Sequence, residues 1–281
     1  MIYLNGDWMP IEDAKISVLD RGFIYGDGVY EYVPVIKRKP YRMLPHLRRL
    51  DMSCNEIGLK NPYSIEGWTD IITQIIARQS FDDQAVYWQV TRGVAKRDHT
   101  FPKDVEPTVF MMSNPLPKLT QAQIDDGVKC YTYPDLRWHR CHIKSISLLG
   151  NVLARQHSAE AGGVECVMIR DGFMTEASSS NVFCVVGDTI VSPPKDHQIL
   201  GGITLDGVME LAQKSGFKLE VRPVPEAEMW KADEMWLSSS SKGVLAITSL
   251  DDKPVGNGLN AGKPGPMFRK MFAVMQADMN A

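Results

Sequence analysis

Apolar residues recur at helical spacing at Leu47, Leu50, Cys54 and Ile57, and again at Trp68, Ile71, Ile72 and Ile75, which predicts two amphipathic helices, the second capped by Ser64. Strand-like patterns run from Ala85 to Val90 and from Thr108 to Met112. The stretch Ser113-Asn114-Pro115-Leu116-Pro117-Lys118 interrupts both periods, because proline lacks the amide hydrogen that a helix interior or a central strand uses. The chain is therefore expected to divide into a small N-terminal α/β domain over 1–114, a linker over 115–120 and a larger C-terminal domain over 121–281. In the second part helices are predicted from about Leu148 to Ala161, Leu205 to Ser215 and Met267 to Met279, the last opened by Pro264 and Pro266. Strands are predicted over Val164 to Ile169 and Val182 to Val186. Asn5-Gly6, Asp171-Gly172 and Gly187-Asp188 mark hairpin turns, and no internal repeat is visible. The mixture predicts an α+β fold.

Composition narrows the class. With 281 residues, 44% hydrophobic and 23% charged, the chain can bury a sizeable core. A formal net charge of −3 gives no reason to expect nucleic acid or an acidic membrane as partner. Cys54, Cys130, Cys141, Cys166 and Cys184 are odd in number, scattered and without a C-x-x-C pair, which suggests reduced thiols in a cytoplasmic protein. The start Met1-Ile2-Tyr3-Leu4-Asn5-Gly6-Asp7 has neither a basic opening nor a long apolar run, so secretion and membrane spanning are not expected.

Several chemistries find no anchor. His139 and His142 flank Cys141, yet a strand would send the two imidazoles to opposite faces, and no metal motif supports them. There is no G-x-S-x-G nucleophile elbow. Gly26-Asp27-Gly28 lacks the rest of a dinucleotide fingerprint, and Gly256 to Lys263 lacks phosphate-loop spacing and runs into Pro264.

Lys144 and Glu176 carry the better hypothesis. Lys144 lies in Arg140-Cys141-His142-Ile143-Lys144-Ser145, ahead of a predicted helix, and Glu176 lies in Met174-Thr175-Glu176-Ala177-Ser178-Ser179-Ser180-Asn181. A lysine can hold the aldehyde of pyridoxal 5'-phosphate as an imine and later shuttle a proton. A carboxylate beside the pyridine nitrogen favours the protonated ring and so makes it an electron sink. The segments RCHIKSISLLGNVLARQ, RDGFMTEASSSNVF and ILGGIT follow one another at close spacing, preceded by RGFIYGDGVYE, PHLRRL and YWQVTRGVAKRDHTFP. Together they resemble the fold type IV pyridoxal phosphate enzymes from about Ile2 to about Thr248. That group contains D-amino acid, branched-chain and (R)-amine aminotransferases and aminodeoxychorismate lyase.

The resemblance implies a two-domain fold with a pseudo-barrel C-terminal domain, and assigns further roles. Arg49, the backbone and hydroxyl of Ile203-Thr204, and Ser240 match the phosphate donors, a chemistry suited to a guanidinium fork and to the amides of a helix start expected near Leu205. Within the group the text is most similar to the D-amino acid aminotransferases, where Tyr30, Arg97 and His99 match the residues that hold the substrate carboxylate. Arg97 and His99 would then serve the neighbouring subunit, which implies a homodimer. The other aminotransferases, the lyase and a catalytically silent binder of the cofactor remain alternatives. Three departures bear on the pocket: Leu205 replaces a commonly basic residue, Gly201 replaces an asparagine or proline, and Pro34 stands in a strand.

Overall fold

The two sets of periodic segments build separate cores. The computed structural model describes residues 1–281, and the chain falls into two compact units, residues 1–117 with 143–148 and residues 118–142 with 149–281. In the first unit the elements run β1 (Ile2–Leu4), β2 (Asp7–Met9), α1 (Arg21–Tyr25), β3 (Gly28–Ile36), β4 (Lys39–Pro40), α2 (Met43–Glu56), α3 (Ile65–Ala77), β5 (Gln84–Thr91) and β6 (Thr108–Pro115). The strands form one antiparallel sheet in the order β2-β1-β6-β5-β3-β4. Leu47, Leu50 and Cys54 of α2 and Trp68, Ile72 and Ile75 of α3 pack with Val29, Val33, Val86 and Trp88 of the sheet. Ser64 caps α3 by accepting a hydrogen bond from Gly67 N at 3.2 Å.

Two features of this unit differ from the sequence reading. The prolines do not end β6 before position 115: Pro115 is its last residue and pairs with Gln84 of β5, a strand end where a missing amide hydrogen is tolerated. The strip 143–148, which the sequence reading leaves with the second part of the chain, runs along the edge of β3. There Tyr30 N donates to Lys144 O at 2.9 Å and Ile146 N donates to Gly28 O at 3.1 Å, while Ile143 enters the first core.

The second unit runs α4 (Gln121–Asp126), β7 (Val128–Pro134), α5 (Leu149–Glu160), β8 (Glu165–Arg170), β9 (Phe173–Ala177), β10 (Asn181–Val186), β11 (Thr189–Ser192), α6 (Ile203–Lys214), β12 (Lys218–Val221), β13 (Val224–Pro225), α7 (Glu226–Met229), β14 (Glu234–Ser239), β15 (Gly243–Leu250), β16 (Lys253–Pro254) and α8 (Pro266–Asn280). Its mixed sheet has the order β12-β11-β10-β14-β15-β7-β8-β9-β13, with β16 on β15 and β7 parallel to both neighbours. Alternation along β10 shows why both faces are covered. Val182 and Cys184 enter a core shared with β7, β8, β9, β14 and β15, around which the sheet curls. Phe183 and Val185 enter another, closed by Leu205 and Val208 of α6 and Phe268 and Met271 of α8. No helix is long and apolar enough to cross a membrane. The five cysteines are all free and buried.

Candidate active site

In the first unit, β3 sorts its residues by parity. Val29, Glu31 and Val33 are buried, whereas Tyr30 and Tyr32 are half-buried on the other face. Lys144, fixed through its carbonyl to Tyr30 N and through its own amide to Ser53 Oγ at 3.2 Å, places its Nζ 4.0 Å from the centroid of the Tyr30 ring. That is cation–π distance for an ammonium. Under β3, the Arg49 guanidinium grips Glu31 with two hydrogen bonds, Nε to Oε1 at 2.7 Å and Nη2 to Oε2 at 2.8 Å, and His46 Nδ1 lies 2.8 Å from Oε2. His46 and Arg49 are three residues apart on α2, hence on one face. Burial opposes the Glu31 carboxylate, but Arg49 and then His46 outweigh it and hold the carboxyl well below its ordinary range. Burial pushes the His46 pKa down, against the pull of Glu31.

In the second unit, Glu176 is buried at the end of β9. Its Oε1 accepts from Arg137 Nη1, and its Oε2 accepts from Asn181 Nδ2 and from the Leu200 amide, each at 3.1 Å. Burial raises its pKa to about 6, the nearby Asp135 adding to the rise, while Arg137 and the Leu200 amide oppose it. Arg137 is shared: Nε and Nη2 each bond Asp135 at 2.9 Å, and Asp135 also takes Arg170 Nη2 and Thr175 Oγ1 at 2.9 Å. The helix expected near Leu205 starts two residues earlier, so Ile203 and Thr204 form the first turn of α6. Its N-cap, Gly202, supplies no side-chain hydrogen bond to that turn, and a Cβ at Gly202 would lie 2.1 Å from Asn181 Oδ1. Leu205 is in the core, not in the corner at the helix start. Ser240 sits half-buried in the turn between β14 and β15.

The structure therefore brings Lys144 and Tyr30 together, and separately sets Arg49 on Glu31. Arg97 and His99 lie on the exposed loop after β5 and gather on Tyr25, the Arg97 guanidinium 5.4 Å and the His99 ring 5.5 Å from its ring centroid. The stretch His139 to His142 is a turn rather than a strand. Sequence reasoning missed Glu31, His46, Asp135, Arg137 and Asn181. For Glu31 a signal existed, a lone carboxylate at a buried-parity position of an otherwise apolar strand; for Arg137 and Asp135 no local pattern marks them.

Comparison with known proteins gives these sites a context. The family model described as Amino-transferase class IV matches residues 28–250, and the chain belongs to that family. It is a pyridoxal phosphate-dependent transaminase of the fold type IV group. The chain is 35% identical over 271 residues to a D-alanine aminotransferase of Staphylococcus aureus (strain COL), covering 96% of this chain and 94% of the relative. It is 33% identical over 275 residues to the D-alanine aminotransferase of Bacillus licheniformis, covering 98% and 95%. The fold is similar to the T.th. branched-chain amino acid aminotransferase solved with pyridoxamine 5'-phosphate, with a TM-score of 0.90 and 21% identity over 99% of this chain and 93% of that one.

The residues present fit the cofactor on their own chemistry. A primary amine stands over the Tyr30 ring beside β3, a buried carboxylate has an elevated pKa, and the bare glycine-led start of α6 offers amides without a side-chain cap.

Proposed function

We propose that the protein transfers an amino group between a D-amino acid such as D-alanine and a 2-oxo acid such as 2-oxoglutarate. The named relatives support the substrate class, and the single observation that carries the reading is Lys144 Nζ held 4.0 Å over the Tyr30 ring. It sets the proton-transferring amine beside a residue assigned to the substrate. Pyridoxal phosphate, when bound, supplies an aldehyde that takes the amino group and a ring that stores the electron pair left by the departing α-proton. Lys144 Nζ accepts that α-proton as a base and later returns it as an acid. Glu176 holds a proton at the ring nitrogen. Arg49, the Ile203 and Thr204 amides, the Thr204 hydroxyl and Ser240 hold the phosphate dianion. Tyr30 orients the substrate carboxylate, with Arg97 and His99 contributed by a second copy of the chain.

The assembly is then a cytoplasmic homodimer. Helix α5 supports it, because Leu149, Val152 and Leu153, at helical spacing, are 71%, 57% and 55% exposed, an apolar stripe that a second copy would cover. Five buried free thiols suit a reducing compartment.

The test is turnover of D-alanine, L-leucine and (R)-1-phenylethylamine by the holoenzyme with 2-oxoglutarate as acceptor. Pyruvate from D-alanine is the expected result; turnover of L-leucine alone moves the activity to branched-chain substrates. Arg97→Ala should raise the KM for D-alanine, and an unchanged KM removes the carboxylate role. Light scattering should give twice the chain mass.

A further inference from the structure

Glu165 buries a charge in the second unit that the proposed reaction does not use. It opens β8 and is 0% exposed. Its carboxylate accepts five donors: Ser178 Oγ, Ser179 Oγ, Ser179 N at 3.1 Å, Ser180 Oγ at 3.0 Å and Lys242 Nζ at 3.0 Å. The donors come from two turns far apart in sequence. Ser178 to Ser180 connect β9 to β10 and begin two residues after Glu176, and Lys242 lies two residues after Ser240 in the turn from β14 to β15. Both turns lie at one end of the sheet, since Asn181 pairs with Ser238 and Ser239 pairs with Gly243. The start of α6 reaches the same end, with Gly202 against Asn181. Ser238, 2% exposed, keeps its hydroxyl there without a hydrogen-bond partner. Buried charges are retained at a cost and need compensation by paired cations and hydrogen bonds. Burial opposes the Glu165 carboxylate, yet Lys242 and the serine hydroxyls hold it below the ordinary range, so it is kept as an anion.

We infer that Glu165 and Lys242 are a positioning pair that sets the phosphate grip of the cofactor site by tying the hairpin bearing Ser240 to the turn behind Glu176. The inference rests on the reading of Ser240 and the α6 amides as phosphate donors. Neither residue touches the phosphate. Glu165 fixes the distance between two turns, and Lys242 makes its charge tolerable; if Lys242 is lost, Glu165 takes up a proton, the serines lose an anionic acceptor, and the hairpin shifts relative to α6.

The experiment compares pyridoxal phosphate with pyridoxal, which lacks the phosphate, as ligands of the apoprotein prepared from holoenzyme, with binding followed by absorbance and folding by thermal melting. Lys242→Met should weaken pyridoxal phosphate by about tenfold, the scale of one buried charged hydrogen bond, while pyridoxal is unaffected. Lys242→Arg should restore most of the preference. Ser179→Ala, on an exposed residue, gives a gentler second variant with a smaller loss of the same sign. Equal weakening of both ligands, or no weakening of either in a folded variant, overturns the inference. Arg49→Gln separates it from the reading beneath it: if Arg49→Gln erases the phosphate preference and Lys242→Met does not, only the positioning pair fails. If neither does, the phosphate assignment fails as well.

Discussion

Glu31 and Glu176 are both buried, both contacted by an arginine and both on a strand, yet they are shifted in opposite directions. Glu31, in the first unit, is gripped at two points by the Arg49 guanidinium, with an imidazole alongside. Glu176, in the second, has a guanidinium that is already committed to Asp135 through two bonds and gives Glu176 one. Asp135 adds a like charge nearby. A shared cation cannot offset burial twice, so one carboxylate is a settled part of the core and the other is left short of positive charge. That shortage suits the ring-nitrogen role proposed for Glu176, since its anion would be stabilised further by a cationic ring.

Removal of each carboxyl is the strongest way to break the contrast. Glu31→Gln leaves Arg49 and His46 buried without their anion and should cost about 3–5 kcal/mol of apoprotein stability. Glu176→Gln relieves a disfavoured charge, leaves Arg137 its bonds to Asp135, and should cost about 1 kcal/mol while sharply lowering transamination. Urea denaturation of the two apoproteins at neutral pH measures the difference; losses of equal size would mean that the shared arginine makes no energetic distinction.

The pH dependence sharpens it at a somewhat smaller scale. Folded Glu176 binds its proton more tightly than its ordinary value of 4.5, so its penalty is present above about pH 6 and disappears as the pH falls toward 4.5. Relative to Glu176→Gln, the native apoprotein should gain on the order of 2 kcal/mol across that window. Glu31 has the reverse sign, because its folded pKa is depressed: its contribution is present above the ordinary value of 4.5 and is lost as the pH falls below it toward the folded value. Unfolding free energies of the native protein and both glutamine variants between pH 4 and pH 8 should therefore diverge in opposite senses on the two sides of roughly pH 4.5. Parallel curves would sink the assignment.

What the sequence shows of this pair follows from the range of the forces involved. The helices at Leu47 to Ile57 and Trp68 to Ile75 were legible because burying one face imposes a period on the chain itself, and Ser64 declared the start of the second. Lys144 and Glu176 stand out as candidates in the sequence because their chemistry is distinctive and their flanking text resembles a family. Arg137 was not: its partner Glu176 is 39 positions away, and nothing near it in sequence reports the pairing. The joining of Ile143 to Leu148 to the first unit was invisible for the same reason, since it rests on backbone bonds to β3 more than a hundred residues earlier. Pro115 closes β6 instead of opening the expected linker, because proline is excluded from strand interiors but not from strand ends.

The smallest effect tests whether distance alone could explain the contrast. On α6, Glu210 and Lys214 form an i,i+4 pair at 2.6 Å, closer than either Glu31–Arg49 contact, but with 43% and 67% of their side chains exposed. Water screens that pair, and both flexible side chains lose freedom in making it, so Lys214→Ala should cost less than about 0.5 kcal/mol. If proximity to a cation set the energy, Lys214→Ala would approach the loss from Glu31→Gln. A near-zero value in the same denaturation series, fading further with added salt, assigns the difference to burial and to how many anions one guanidinium must serve.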